Sequence, residues 1–242
     1  MLKWTFLICV ALALLAWTKS PELPLPSQLR TESLQEPFQL AVALAPYKTT
    51  VGGVTYTIEP SHSYDISGLV VSKHNANTWW DWAHAAWNDH LNVTDVCVLW
   101  GGNVSSGVYD AFSFSSGQWT CNYQTTSDAA FQAFNPAQFS NNHLLTDSPA
   151  LARALRKLRI GDQVRITGHL AAYRHQVGQD FFRGTSTTRL DTGNFSCETI
   201  FVTNVSVLQS APTRWRLLAW LAGAGMALCL LMGLLRPYQT RG

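Results

Sequence analysis

What this sequence is short of narrows its reading most. Charged residues make up only 13% of the 242, against roughly 25% in ordinary soluble domains. There is no His-Glu-x-x-His and no paired Cys-x-x-Cys, so the common zinc signatures are absent. The seven histidines are scattered; His84 and His90 share a predicted helix with Asp81 and Asp89, but their six-residue spacing does not align them. They read as surface or satisfied side chains, with no metal and no cofactor implied. No Ser/His/Asp set and no carboxylate pair has fitting spacing, so no catalytic residue stands out and a non-enzymatic reading leads.

A basic surplus is missing as well. The formal charge of +2 comes from the chain ends. Between Glu22 and Thr213 there are 11 Lys/Arg against 15 Asp/Glu, a net −4, whereas Lys3, Lys19, Arg214, Arg216, Arg236 and Arg241 flank the apolar ends. There they can meet anionic headgroups. A protein that neutralises phosphates needs a basic face, so nucleic acid is not an expected partner. Residues 22–147 carry a net −8 and residues 148–213 a net +4, which reads as pairing within the fold, with a local basic patch as the alternative.

Long apolar runs, by contrast, are present at both ends. Leu217–Leu235 holds 19 residues without a charge, close to the roughly 20 that cross a bilayer. The span is placed at residues 215–235, with 236–242 as a cytoplasmic tail. Gly223-x-Gly225, with Ala222 and Ala224, gives it one small face that permits close helix contact. Lys3 precedes the 14-residue run Trp4–Trp17, the length of a signal-peptide apolar core. Ala16-Trp17-Thr18 is a poor cleavage site, so residues 1–18 read as a signal anchor, with a cleaved signal peptide as the alternative. Either way the domain that follows is sent across the membrane, and the lipid bilayer is the first partner. Residues 19–54 contain five prolines and read as an extended tether, within which Phe38–Leu44 is apolar enough to dock as an edge strand.

The domain itself is expected over residues 55–210. Tyr64–Ser72 reads as a strand with a bulge at Gly68. Thr78-Trp-Trp-Asp81 matches a capping box opening a Trp-rich helix over 79–91, with Trp80, Ala83, Trp87 and Leu91 on one stripe. Val96–Trp100 is a second strand; Val108–Phe114 and Trp119–Tyr123, joined by Ser115-Ser-Gly117, read as a hairpin. Ser148-Pro149 starts a capped helix with Leu151, Leu155 and Leu158 inward. Val164, Ile166, Gly168 and Leu170 alternate with polar residues as a strand, and Thr199–Val207 is the last. This order, with Gly161-Asp-Gln-Val-Arg-Ile-Thr-Gly168 opening the fourth strand, resembles the OB-fold. The resemblance implies a mainly β (α+β) class: a five-stranded OB-like Greek-key barrel with the Trp-rich helix inserted. The whole design is similar to membrane-anchored extracytoplasmic OB-like proteins of the bacterial inner membrane. His169-Leu-Ala-Ala-Tyr173 resembles the His-x-x-x-Tyr of an anchored OB-like haem chaperone, but there the motif follows the barrel. Here it lies within a predicted strand, with both side chains expected on one outward face.

Three places carry the remaining expectations. Cys121 and Cys197 lie in polar surroundings and are expected to form a disulfide in an oxidising compartment, two free thiols being the alternative. Arg183-Gly-Thr-Ser-Thr-Thr-Arg189-Leu-Asp191 borders the binding face of an OB barrel, and Arg183, Arg189 and Asp191 are candidates for an anionic or sugar ligand. A loop braced by Arg–Asp pairing is the competing reading. Trp79 and Trp82 fall off the buried stripe and are candidate ligand-stacking residues, packing of the insertion being the alternative. The function expected is a membrane-tethered binding or assembly module, with other envelope proteins as further partners. The competing class is a nuclease-like hydrolase using Arg183–Glu198. The geometry that would decide is whether Arg183, Arg189, Asp191 and His143 converge.

Overall fold

In the computed structural model, which describes residues 2–19, 22–188 and 197–235, the apolar ends are helices Leu2–Lys19 (α1) and Arg214–Leu234 (α6). Both are long and apolar enough to cross a membrane. A Cβ on Gly225 would stand 2.7 Å from Cys9 Sγ, so the small face of α6 does admit α1. Past the ends of these helices, Glu22 accepts from Trp215 Nε1 at 2.6 Å and pairs with Arg214. These terminal segments form one compact unit, and residues 23–211 form the other.

The chain as a whole is mixed α/β once the terminal helices are counted, and the second unit is built on one eight-stranded sheet. Phe38–Ala41 (β1) pairs with the long strand Val54–Asn75 (β3), and Tyr47–Val51 (β2) forms a hairpin with it. The hairpin turns through Gly52 and Gly53, both at positive φ, where an L side chain would be strained. Trp82–Ala86 (α2) leads to Asn92–Leu99 (β4), and Gly101–Ser105 (α3) follows. A separate ribbon, Ser113–Gly117 (β5) and Thr120–Gln124 (β6), precedes Asp128–Ala133 (α4) and Phe139–Leu145 (β7). Pro149–Lys157 (α5), Gln163–His175 (β8), Phe181–Arg183 (β9) and Cys197–Gln209 (β10) complete the unit. Because β3 pairs with both β4 and β8, the ladder β3-β4-β7-β10-β8 returns to β3. Every ladder is antiparallel except β7–β10. Ile66, Val96, Leu144, Ile166 and Ile200 meet on its inner face with Leu155 of α5, all fully buried.

Several local expectations change. The proline-rich stretch is no free tether: Tyr109 Oη donates to the Pro24 carbonyl, Trp100 Nε1 to Glu36, and Gln163 bonds Arg30 N and Gln28 O. Gly68 is not the bulge, since β3 shifts register at Pro60/His62 and Val70/Ser72. A Cβ at Gly68 would instead strike the Leu99 carbonyl at 2.4 Å. The Trp-rich helix is shorter, because Asp81 rather than Thr78 caps it, accepting from His84 N, and Asn88 at φ 53 ends the segment. The hairpin turns at Gln118–Trp119, leaving Ser115–Gly117 in strand, and Val108–Ala111 is a 3-10 turn. α5 begins as expected: Ser148 Oγ accepts from Leu151 N, with Leu155 and Leu158 buried and Leu151 half-buried. Tyr173 is fully buried and His169 is not, since the shift at Pro60/His62 leaves Leu170 and Ala171 both inward. The His-x-x-x-Tyr pair therefore shares no face.

Gly168 tests how tightly β8 and β10 meet. A Cβ there would lie 2.2 Å from the Phe201 carbonyl oxygen, a backbone atom. Gly168→Ala should therefore destabilise by about 1–3 kcal/mol, the usual range for overpacking, read as a lower midpoint in denaturant. An unchanged midpoint would mean that the two backbones are not in contact.

Candidate functional site

Residues directly opposite each other in a sheet point to one face. Two rows of partners cross β4, β7 and β10 on the face opposite the Val96–Leu144 core. One runs Asp95–His143–Thr199, the other Cys97–Asn141–Cys197. The first sets a carboxylate beside an imidazole, and the second sets a thiol one residue pair away.

Asp95 and His143 are fully buried, and His143 Nδ1 lies 2.6 Å from Asp95 Oδ1. The carboxylate is fixed from other sides: Oδ1 accepts from Asn92 Nδ2 at 2.8 Å and Oδ2 from Trp119 N at 3.0 Å. On the far edge of the ring, His143 Nε2 meets Arg183 Nη1 at 2.9 Å, and the Arg183 guanidinium lies over the Trp119 ring, 4.5 Å from its centroid. The half-buried Cys197 Sγ accepts from Asn141 Nδ2 at 3.4 Å, on the same face as His143. Asn141 Oδ1 and Trp119 Nε1, both buried, have no hydrogen-bond partner among the described residues. Such atoms call for water or a ligand.

Burial alone would push the Asp95 carboxyl up, but the charge and hydrogen bond of His143 hold it at about 2. Burial likewise disfavours the His143 cation, and Asp95 with Cys197 outweighs it, raising the ring to about 9 against the opposing charge of Arg183. An imidazolium has no lone pair for Arg183. The ring therefore accepts from Arg183 Nη1 when neutral, a contact that its charged form cannot make. The stability of this pair is complete between the unfolded carboxyl and imidazole values. It is lost as pH falls from about 4 to 2, and again as pH rises from 6.5 to about 9. The upper loss should approach roughly 3 kcal/mol at 1.36 kcal/mol per unit, and melting curves between pH 6 and 9.5 check it. His143→Gln should flatten that slope; a slope that persists would assign it to another group.

Cys121 is not bridged to Cys197. Its partner is Cys97, at a Cα separation of 5.9 Å, while Cys197 is free. The reason is that the β5–β6 ribbon folds over β4, placing Cys121 above Cys97, whereas Cys197 stands beyond Asn141. Closing 24 residues should contribute about 3 kcal/mol. Without reductant, iodoacetamide should label Cys197 but neither Cys97 nor Cys121 in denatured protein. Labelling of Cys97 would remove the bridge.

Of the other expected site residues, Arg183 does reach His143, while Arg189 and Asp191 lie outside the described residues. Trp79 and Trp82 are exposed, 96% and 73%, so the insertion does not pack them away. No described contact joins either to Arg183. Four of the seven histidines are buried and all four are hydrogen-bonded, so they are satisfied rather than surface side chains; three bond carboxylates, His74 and His84 to Asp81 and His143 to Asp95. Sequence reasoning named His143 beside Arg183 but missed Asp95 and Asn141 as its neighbours. The available signal was an acid inside an apolar strand, since a buried aspartate is rare unless paired. No protein-family model matches the chain, and no curated protein or solved structure is significantly similar to it, so its chemistry rests on this geometry.

Proposed function

We propose that this chain is a membrane-anchored, extracytoplasmic thiol enzyme that cleaves or transfers acyl groups, carried on an OB-like barrel. One arrangement carries the chemistry: Asp95 and His143 are hydrogen-bonded on adjacent strands, and Cys197 lies on the same face of the third. Such sets are recognised by geometry and role, whatever the fold. From the form in which His143 is neutral, Cys197 Sγ attacks the substrate carbonyl as its proton passes to His143 Nε2. Asp95 keeps the ring oriented through Nδ1. His143 returns the proton to the leaving group, giving a thioester, and water cleaves that thioester to the acid and the free thiol. Asn141 Nδ2 and Arg183 stand beside the thiol and ring as donors for the oxygen that gains charge.

The barrel reading is supported by the returning strand circuit, the parallel β7–β10 pair, and α5 between β7 and β8. The Cys97–Cys121 bridge favours an oxidising compartment. With α1 and α6 as anchors, the inner membrane of a bacterium, with its domain outside, is the location that fits. Retention of α1 as a signal anchor is supported by its seat against Gly225.

The test is to treat the full-length protein in detergent with p-nitrophenyl acetate. A stoichiometric burst of nitrophenolate with an acetyl group on Cys197 is expected. Acetylation spread over lysines, with Cys197 untouched, would sink the proposal. A second reading, the tethered binding module, is favoured by the unpartnered Asn141 Oδ1 and Trp119 Nε1 beside Arg183. In it an anionic or sugar ligand occupies this spot, and Cys197 is shielded on binding without being modified.

A further inference from the structure

A second buried cluster lies on the other side of Asn92 from the thiol site. His74 ends β3, Asp81 caps α2, and His84 stands one turn into that helix. All three are at most 4% exposed. His74 Nε2 and His84 Nδ1 each lie 2.6 Å from the same atom, Asp81 Oδ2. We propose that His74, Asp81 and His84 bind one divalent transition-metal ion of the zinc class, which ties the 75–91 insertion to β3. This rests on different residues from the acyl-transfer reading and stands without it.

Three features distinguish the cluster from an ordinary hydrogen-bonded knot. The three ligand atoms face one another within 4.8 Å, two nitrogens and one oxygen of the types that zinc prefers. Tetrahedral zinc, with bonds of about 2.0–2.2 Å, needs such atoms roughly 3.3 Å apart, so each nitrogen would withdraw from Asp81 Oδ2 by well under 1 Å, while the two nitrogens, within 4.8 Å of each other, would settle to the same spacing. The imidazoles are already nearly parallel, 24° apart with centroids 6.1 Å apart.

The surroundings supply what metal ligands require behind them. Asp81 Oδ1 is fixed by His84 N at 3.0 Å. With the ion on Nδ1, His84 carries its proton on Nε2, and the Asp89 carboxylate lies 4.0 Å from that nitrogen. A carboxylate behind a ligating imidazole sets its tautomer and raises its affinity. Trp80 covers His74 at 4.7 Å and Trp119 covers His84 at 4.9 Å, which restricts water to the fourth ligand position. His84 Nε2 lies 2.9 Å from Asn92 Nδ2, the amide that holds Asp95. The two clusters are therefore neighbours across Asn92.

The experiment strips full-length protein in detergent with a chelator and titrates it with Co²⁺, then Zn²⁺. One equivalent of cobalt should give the visible absorption of a four-coordinate site, and zinc should erase it. Retained metal after desalting should fall at least tenfold in His74→Ala and in His84→Ala. It should be unchanged in His90→Ala, an exposed histidine of the same segment. The wild-type titration decides alone if the first two variants fail to fold: less than a tenth of an equivalent retained, or no cobalt absorption, overturns the site. Full retention in folded His84→Ala also overturns it.

Discussion

His143→Gln should slow acyl transfer through Cys197 by two to four orders of magnitude, the range that a positioned acid–base supplies. Glutamine fills a similar volume and can still hydrogen-bond Asp95, yet it cannot take the thiol proton. The decisive readout is the pH profile rather than the loss alone. In the wild type the rate of Cys197 acetylation should depend on the ionisation of His143; in the variant it should rise with hydroxide as it does for a simple thiol. A merely structural histidine would lower the melting temperature and leave the shape of that profile intact. Cys197→Ser should also leave the fold intact, because the site is half-buried and the change is small. Equal acetylation rates in wild type and His143→Gln would remove His143 from the chemistry.

The largest stability effect should come from Asp95→Ala, at about 3–5 kcal/mol, the cost of breaking a buried charge pair by deleting one partner. Alanine leaves His143 Nδ1, Asn92 Nδ2 and Trp119 N without the oxygens that now accept from them. Each stranded donor adds its own desolvation cost. Asp95→Asn should cost less, since its carbonyl can still accept, but it offers an amide to donors on one side. Urea unfolding of the two variants in the same detergent checks the ordering. A loss below 1 kcal/mol for Asp95→Ala would show that water enters and replaces the carboxylate.

The terminal helices, α5, β8 and β10 were legible because each carries a periodic apolar face or a cap. Ser148-Pro149 announces α5, and Val164, Ile166 and Leu170 mark β8. β7 was invisible for the opposite reason. Phe139-Ser-Asn-Asn-His-Leu-Leu reads as a polar turn, yet residues 140–145 are all buried. Several of its polar groups are bonded by the sheet: Asn142 Nδ2 bonds Val96 O across it and Ser140 Oγ within the strand, and His143 bonds Asp95. Pairing between strands far apart in sequence leaves no local periodicity. The same blindness hid the cysteine pairing, because Cys121 and Cys197 look alike in composition and only the fold of the β5–β6 ribbon over β4 separates them. His74 was passed over since its partners, Asp81 and His84, lie across a turn rather than along one helix.

The parallel contact between β7 and β10 also bears on when the site comes into being. Parallel neighbours cannot be joined by a tight turn; here the connection includes α5 and all of β8. Asp95 and His143 are 48 residues apart, and Cys197 arrives only with the last strand. Closure of such long loops costs entropy before any contact repays it. During synthesis, Cys197 therefore meets His143 only after β10 has paired, so a chain caught half-folded carries the cysteine without that neighbour. The reactivity of this protein would then be born with its native state.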